Sequence, residues 1–238
     1  MDSVLYFWTF NDKDFDMPLF LGIGAGPGMG FETAKRFAKE GFKVVLSARD
    51  NVRTGDLAAL LRADGYDAVA KPVDAADPSS VSKLVAEVET QHGHVDVLHY
   101  NAAALRKATL LEQPTETFNA DLATNIGGGL ACVKAVAPGM SKRGSGTILM
   151  TGGFFALSPN PDFLSLSIGK AGIRAMTLGL FDSLKEQGIH IATVTVAAFV
   201  DPGSKEASDV GQEFWKLHSQ PKDQWIAETT YAQSATAN

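Results

Sequence analysis

The sequence predicts an α/β fold, in which a doubly wound parallel sheet forms a single domain. Apolar runs of strand length alternate with longer stretches of helical periodicity along most of the 238 residues, and this is the order of consecutive βαβ units. The apolar runs are too uniformly hydrophobic to leave one face in water, so helices are expected on both faces of the sheet. No internal repeat or low-complexity linker divides the chain.

Six strands are expected, at 19–23, 44–47, 68–73, 95–99, 147–150 and 191–196. Helical patterns lie between them at about 28–40, 54–64, 78–92, 115–141 and 163–187, and a short helix is expected at 213–218. The final residues, 227–238, are expected to be mobile or to pack on a neighbouring subunit. Because parallel crossovers are right-handed, the ligand crevice should lie beyond the C-terminal ends of the strands.

Composition excludes several classes of partner. The 21 Lys and Arg against 27 Asp and Glu give a net charge of −6, which argues against a nucleic acid or an anionic membrane. The single cysteine, Cys132, excludes an internal disulfide and any zinc site built on several thiolates. The five histidines form no ligand-like cluster, so no metal site is expected. A reducing, cytoplasmic location fits this cysteine usage.

The first confident strand signal begins at Met17, and residues 1–16 are interpreted as an N-terminal extension of unknown role. The apolar stretch 4–8 is short, lacks a preceding basic region and is followed by charged residues, unlike a signal peptide. No segment is long enough to span a bilayer. Residues 17–238 are therefore interpreted as one domain.

A glycine-rich turn follows the first strand and opens the first helix. Its residues include Gly24, Gly26, Gly28, Met29 and Gly30. Glycines let such a turn bend tightly and approach a pyrophosphate closely, while the helix N-terminus offers amide donors and a positive dipole. The order of strand, turn and helix predicts a dinucleotide site, with a purely structural turn as the alternative.

The end of the second strand indicates which dinucleotide is bound. An acidic residue about 20 positions beyond the turn would bind the ribose of NAD, whereas an arginine suits the 2′-phosphate of NADP. Ala48 takes the place of the acid and Arg49 follows it, so NADP is predicted. NAD stays open because Asp50 could contact its ribose. Asp74, at the end of the third strand, could reach the adenine or could cap a helix or turn.

Further along the chain, Asn101-Ala102-Ala103 follows the fourth strand, and Asn125 and Lys170 lie in later helical stretches. With the glycine spacing and Asp74, these residues resemble the short-chain dehydrogenase/reductase family, from about residue 17 to residue 200. The resemblance implies a Rossmann-like oxidoreductase whose cofactor lies against the glycine turn, Asn101, Ala102, Ala103 and Lys170. It also implies a substrate lid at about 200–226.

The family's catalytic tetrad is Asn, Ser, Tyr and Lys, and the sequence keeps two of its members, Asn125 and Lys170. Leu166 stands four residues before Lys170, where the family has the proton-donating tyrosine, and Gly153 stands where it has the substrate-orienting serine. The Pro-Gly pair that the family places after the sixth strand is also altered. A positioned acid or base contributes about 10²–10⁴ in rate, so the usual reaction should be impaired.

Three residues are candidates for a substitute acid. Asp162 precedes the helix that carries Lys170 and could donate a proton if protonated, with helix capping as the alternative. Ser167 shares a helical face with Lys170 but is a poor acid. Thr151 more simply ends the fifth strand.

The residues Gly153, Phe155, Phe163 and Leu166 predict a roomier and more apolar substrate pocket, although core packing explains some of them equally well. The preferred hypothesis is an atypical NADP(H)-dependent reductase that acts on an activated C=N, C=C or C=O bond of a small apolar molecule. Two alternatives stay open: a non-catalytic NADP(H)-binding sensor or scaffold, and an enzyme that retains the cofactor for a non-redox cyclisation.

The helical stretch 163–187 is apolar around more than one stripe, and only Lys170 and Arg174 interrupt it before Asp182. A surface helix should be polar on its far face, so the excess predicts a partner, such as the same helix of a second copy. A homodimer or homotetramer is therefore expected, as the family resemblance also implies.

Overall fold

The computed structural model describes residues 17–233, so the predicted extension 1–16 and the last five residues of the chain lie outside it. The strands are β1 Leu19–Ile23, β2 Lys43–Ala48, β3 Ala68–Pro72, β4 Val95–Tyr100, β5 Gly146–Thr151, β6 Ile189–Ala197 and β7 Glu228–Ala232. The helices are α1 Met29–Lys39, α2 Asn51–Ala63, α3 Pro78–His92, α4 Thr115–Leu122, α5 Gly128–Arg143, α6 Leu164–Glu186 and α7 Lys205–His218.

The strands form one parallel sheet in the order β3-β2-β1-β4-β5-β6-β7. Successive strands run outward from β1 in one direction and then, from β4, in the other, so β1 and β4 are neighbours at the point where the order reverses. In such a sheet a ligand crevice opens beyond the C-terminal ends of the strands at this reversal. The predicted α/β fold with a doubly wound parallel sheet is confirmed.

Two layers of helices cover the sheet and separate two apolar cores. Helices α3, α5 and α6 pack on one face, where Tyr100, Met140 and Ile173 are buried. Helices α1, α2 and α7 pack on the other face, where the rings of Phe20 and Phe37 lie 4.7 Å apart. Both faces of the five central strands, β1, β2, β4, β5 and β6, are buried, as the uniformly apolar runs predict, while the edge strands β3 and β7 are partly exposed.

The long helical pattern at 115–141 is two helices joined by a π-helical turn, Ala123–Gly127. The side chain of Asn125, in that turn, is turned inward and bonds the backbone of the loop after β4. At Gly128 the start of α5 passes so close to the sheet that a Cβ atom would lie 2.3 Å from the carbonyl oxygen of Ala75. An isolated π-turn inside a helical stretch is often found at a functional site, and hydrophobic periodicity does not reveal it.

Residues 205–232 contain more regular structure than expected. The helix predicted at 213–218 begins at Lys205, and α7 packs against α1 so closely that a Cβ on Gly211 would lie 3.0 Å from the carbonyl oxygen of Glu32. Residues 228–232, expected to be mobile or on a neighbour, form β7 and pair with β6. Their Thr-Thr-Tyr run suits a strand that another strand and α7 partly cover.

More than half of the segment 200–226, which was expected to form a lid, is the helix α7 and not a loop over the site. Residues 205–218 lie on a face of the sheet, with Phe214 in its core. Only the short connection 198–204 directly follows the C-terminal end of β6. Within residues 17–233, no helix combines the length and the apolar character needed to cross a membrane.

Candidate functional site

The glycine turn between β1 and α1 is fixed by close contacts that only glycine allows. Gly24 has φ +82°, and a Cβ there would lie 2.2 Å from the backbone nitrogen of Ala102. A Cβ on Gly30 would lie 3.0 Å from Nδ2 of Asn101, and that same amide nitrogen donates to the carbonyl oxygen of Gly24 at 2.9 Å. The loops after β1 and β4 are thereby locked together, which brings Asn101, Ala102 and Ala103 beside the turn as predicted.

The outer side of the turn is open. A Cβ on Gly26 would meet no atom within 4 Å, and on Gly28 it would only approach Pro202, at 4.0 Å. Helix α1 begins at Met29, and no side chain caps it. The amide of Phe31 already donates to the carbonyl oxygen of Gly26 at 3.0 Å, so the amides of Met29 and Gly30 are the ones left at this open end, together with the positive end of the helix dipole. The turn therefore has room, donors and charge for a phosphate group.

A cleft of about 410 Å³ extends from the glycine turn across the ends of β2 and β3. Among the residues that line it are Gly24, Gly26, Ala48, Arg49, Asp50, Arg53, Asp74, Asn101, Ala102 and Ala103. Arg53 was not predicted from the sequence as a residue of this site. Its position in the first turn of α2, three residues after Asp50, is the signal that could have identified it.

The two acidic residues of this cleft are partly engaged. Asp50 caps α2, since its Oδ1 accepts from the backbone nitrogen of Arg53 at 3.0 Å. Asp74 accepts from the backbone nitrogen of Ala76 at 3.0 Å, which is the turn-capping alternative. Asp74 also lines a neighbouring cleft of about 330 Å³, together with Arg49 and Lys83. The exposed guanidinium groups of Arg49 and Arg53 lie at the same end of the main cleft.

Lys170 lies at the other end of the site, where α6 passes the end of β5. Its Nζ donates to the carbonyl oxygen of Thr151 at 2.7 Å. Burial, without an opposing carboxylate, lowers the pKa of Lys170 to about 8. The amine is therefore held at the C-terminal end of the central strands, close to where Asn101 holds the glycine turn.

A buried hydrogen-bond chain joins the end of β5, which holds Lys170, to Asn101 beside the glycine turn. The sequence did not predict this chain. The hydroxyl of Thr151 donates to Oδ1 of Asn101 at 2.9 Å and lies 3.0 Å from Nε2 of His99. Because Asn101 Oδ1 can only accept, the Thr151 oxygen must accept from a protonated Nε2 of His99. Burial lowers the pKa of His99 to about 3, so the ring is neutral. Neighbouring side chains on β4 and β5 cannot be paired from one sequence.

Asn125 is buried and braces the loop after β4. Its Oδ1 accepts from the backbone nitrogen of Ala104 at 2.7 Å, and its Nδ2 donates to the carbonyl oxygen of Ala104 at 3.2 Å. Helix α6 approaches closely, since a Cβ on Gly169 would lie 2.4 Å from the Cβ of Asn125. Asn125 and Lys170 are thus held on adjacent elements, as the predicted site requires.

Gly153 and Leu166, which stand where the resemblance places a serine and a tyrosine, lie next to Lys170. A Cβ on Gly153 would lie 3.3–3.4 Å from Cγ, Cδ and Cε of Lys170, so a serine there would contact the lysine stem. Leu166, one helical turn before Lys170, is buried. The rings of Phe155 and Phe163 stack at 5.7 Å between centroids, next to these positions in the chain. The structure therefore places Gly153 and Leu166 beside Lys170, as the spacing of these three residues in the sequence suggests.

The candidate substitute acids are differently placed. Ser167 is buried and its hydroxyl is used by the backbone of Asn160 and Phe163, so it is a structural residue. Asp162 is half-buried and bonds through its backbone to Ala108, and α6 begins without a side-chain cap. The capping role considered for Asp162 is therefore absent, while its catalytic role stays a prediction.

Several exposed apolar side chains lie in the segments that follow β4, β5 and β6. They are Leu105, Leu110, Leu111, Phe154, Leu157 and Phe199. Among residues 17–233, no group of histidine, cysteine and carboxylate side chains is placed to hold a metal ion. The candidate site thus has a polar end at the glycine turn and Arg49, and apolar residues such as Phe155 and Leu166 near Lys170 in the chain.

Comparison with known proteins defines the family. The family model described as short chain dehydrogenase matches residues 20–209. An uncharacterised oxidoreductase of Thermotoga maritima is 32% identical over 196 residues, which cover 82% of this chain and 72% of that protein. Dehydrogenase/reductase SDR family member 4 of Bos taurus is 30% identical over 74% of this chain and 63% of its own length. This chain belongs to the short-chain dehydrogenase/reductase family.

Solved structures agree on the fold. A short-chain dehydrogenase from Rhodopseudomonas palustris superposes with a TM-score of 0.82 at 26% identity, over 90% of this chain and 98% of that one. A metagenomic short-chain oxidoreductase in complex with NADP gives a TM-score of 0.84 at 21% identity, over 92% and 98% of the two chains. An alcohol dehydrogenase from Thermococcus sibiricus, complexed with 5-hydroxy-NADP, gives 0.81 at 22% identity, over 91% and 96%.

Proposed function

We propose that this protein is an NADP(H)-dependent reductase that acts on an activated C=O, C=C or C=N bond through an atypical site. Membership of an oxidoreductase family supports the reaction class. The observation that carries the choice of site is the pair Gly153 and Leu166, which flank Lys170 with no hydroxyl of their own. An activated substrate needs less help from a positioned acid than a simple ketone does.

The preference for NADP(H) rests on the charged residues of the 410 Å³ cleft that extends from the glycine turn across the ends of β2 and β3. Arg49 and Arg53 line it, and the carboxylate of Asp50 is already used to cap α2. A 2′-phosphate would be paired by guanidinium groups there, whereas NADH offers them no such anion. Two structural neighbours were solved with NADP or a derivative of it.

When bound, the reduced nicotinamide supplies the hydride. In this proposal the open glycine turn and the first amides of α1 bind the pyrophosphate, and Arg49 and Arg53 bind the 2′-phosphate. Lys170 holds the nicotinamide ribose, and Asn125 keeps the loop after β4 in place. Phe155, Phe163 and Leu166 provide an apolar surface that favours an apolar substrate.

Calorimetric titration with NADPH and NADH tests the cofactor, and NADPH oxidation with a panel of ketones, imines and enones tests the reaction. We expect tight NADPH binding and turnover of imines or enones in preference to simple ketones. Binding without turnover would favour the sensor, scaffold or cyclase alternatives. Failure of both nucleotides to bind would contradict the proposal.

A further inference from the structure

The buried hydrogen-bond chain beside the glycine turn can run in only one direction. It ends at the carbonyl oxygen of Gly24, which can only accept, so the side-chain atom of Asn101 that lies 2.9 Å away is the donor Nδ2. The oxygen of Asn101 therefore faces Thr151, whose hydroxyl must donate to it at 2.9 Å. A hydroxyl carries one proton, so the Thr151 oxygen must accept from Nε2 of His99 at 3.0 Å.

The second ring nitrogen of His99 supports the same direction. Within the described part of the chain, Nδ1 is buried and has no hydrogen-bond partner. Burial also lowers the pKa of His99 to about 3, so the ring is neutral and carries one proton. A buried N–H without an acceptor is rarer in proteins than an under-used acceptor. The proton therefore belongs on Nε2, which has Thr151 as its partner.

The beginning of the chain is fixed in the core. The ring of His99 on β4 is fully buried, with the ring centroids of Phe20 and Phe214 at 6.0 Å and 4.5 Å. Thr151 is buried on β5, the strand that pairs with β4. Both side chains therefore belong to the rigid centre of the sheet and not to a loop.

The end of the chain is the backbone of the glycine turn. The carbonyl oxygen of Gly24 accepts from Asn101 and also from the backbone nitrogen of Gly26 at 3.0 Å. The backbone nitrogens of Gly24 and Ala25 donate to the carbonyl oxygen of Ser47 at 2.8 Å and 3.1 Å. These bonds together fix the peptide that leads to Gly26, whose outer side is open to a ligand.

Thr151 is shared by two parts of the candidate site. Its hydroxyl orients Asn101, and its carbonyl oxygen accepts from Nζ of Lys170 at 2.7 Å. One buried residue of β5 thus contacts both the lysine and the side chain that holds the glycine turn.

We propose that His99 and Thr151 are positioning residues for the dinucleotide: His99 orients the Thr151 hydroxyl, and this hydroxyl orients the Asn101 amide that holds the glycine turn. This role rests on the proposed function, which assigns the turn to the pyrophosphate. Neither His99 nor Thr151 needs to touch the nucleotide. Without the hydroxyl, nothing opposes rotation of the Asn101 amide, and a rotated amide places its oxygen against the Gly24 carbonyl oxygen.

The first test examines the tautomer of His99 and needs no nucleotide. Nitrogen–proton NMR of the isotope-labelled full chain near neutral pH distinguishes a ring protonated on Nε2 from one protonated on Nδ1. The signals of His99 are identified by their loss in His99→Val. We expect a neutral ring with its proton on Nε2. A neutral ring protonated on Nδ1 would make the Thr151 hydroxyl donate to His99 instead of Asn101, and the proposal would be wrong.

The second test measures NADPH affinity by calorimetry. Thr151→Val keeps the shape but removes the hydroxyl, so NADPH binding should weaken about tenfold, the equivalent of one buried hydrogen bond. Thr151→Ser keeps the hydroxyl and should bind NADPH within about twofold of the unmodified protein. Unchanged affinity in Thr151→Val, or equally weak binding by Thr151→Ser, would contradict the proposal. If Thr151→Val does not fold, the tautomer of His99 decides.

Thr147, on the same strand, provides a matched control. Its hydroxyl lies 3.0 Å from Nδ1 of His218, so Thr147→Val breaks a similar contact at the opposite end of β5. This variant should lose stability but keep its NADPH affinity, and equal losses of affinity in Thr147→Val and Thr151→Val would overturn the positioning role. Failure of the unmodified protein to bind NADPH would instead overturn the proposed function.

Discussion

At the residue scale, two guanidinium groups decide the proposed nucleotide preference. Arg49→Ala and Arg53→Ala should each weaken NADPH binding by about 10- to 150-fold, because each removes a charge-assisted bond to the 2′-phosphate worth about 1.5–3 kcal/mol. NADH lacks this phosphate, so its affinity is the internal control and should hardly change. Calorimetry with both nucleotides measures the difference, and equal losses for the two would contradict the assignment.

His99 makes stability depend on pH. Burial lowers its pKa to about 3, so the unfolded chain binds more protons than the folded one below the unfolded pKa of 6.5. Stability should fall as pH drops from about 6.5 towards about 3, with a slope of up to about 1.4 kcal/mol per pH unit from this group.

The variant His99→Val isolates that contribution. It should lose about 1–2 kcal/mol at pH 7, because the Thr151 hydroxyl loses a buried donor, yet its stability should decline less steeply with acid. Urea unfolding at several pH values measures both effects. An unchanged slope would mean that folding does not lower the pKa of His99.

Restoring the serine and tyrosine that the family has in place of Gly153 and Leu166 should produce a gain of function. The double variant Gly153→Ser with Leu166→Tyr should acquire reduction of simple ketones, by about 10²-fold or more over the unmodified protein, since a positioned acid contributes that much. The new serine requires Lys170 to shift by a few tenths of an ångström. Leu166→Phe, which adds the ring without the hydroxyl, is the matched control and should gain nothing.

At the scale of the elements, the contact between α6 and the π-helical turn holds Lys170 and Asn125 side by side. Gly169→Ala would place a Cβ 2.4 Å from that of Asn125, so it should destabilise by about 1–3 kcal/mol and weaken NADPH binding. Gly179→Ala, on the same helix, meets no atom within 4 Å and should be neutral or stabilising. Chemical unfolding of both variants makes the comparison, and equal stabilities would exclude a tight contact.

At the scale of the whole molecule, α6 exposes an apolar face. Ile168, Ala171, Ala175 and Leu178 are exposed at helical spacing, and Leu130 of α5 is exposed on the neighbouring helix. We propose that a second copy covers this face in a homodimer or homotetramer. Ala175→Glu should then shift the protein to a smaller species in light scattering, whereas Val52→Glu, on the exposed side of α2, should not.

The sequence predicts the sheet and the glycine turn because their signals are local. Apolar runs define the strands, and the spacing from Gly24 to Gly30 defines the turn. The sequence does not predict β7, the π-helical turn at Asn125 or the bond between His99 and Thr151, because each depends on which segments meet in space. Arg53 was missed for a simpler reason. The helix α2 begins at Asn51, which brings Arg53 to the cleft, whereas the helix was predicted to begin at residue 54.

The connection 198–204 carries the chain from β6 to α7 with no helix between them, and Phe199 near its start is almost fully exposed. Enzymes with a mobile cover are often limited by its opening and by the escape of product. Residues 198–204 contain no helix that could act as such a cover, so we expect chemistry or cofactor release, and not the opening of a helical lid, to limit turnover. A long molecule could then react at one end while the remainder stays in water.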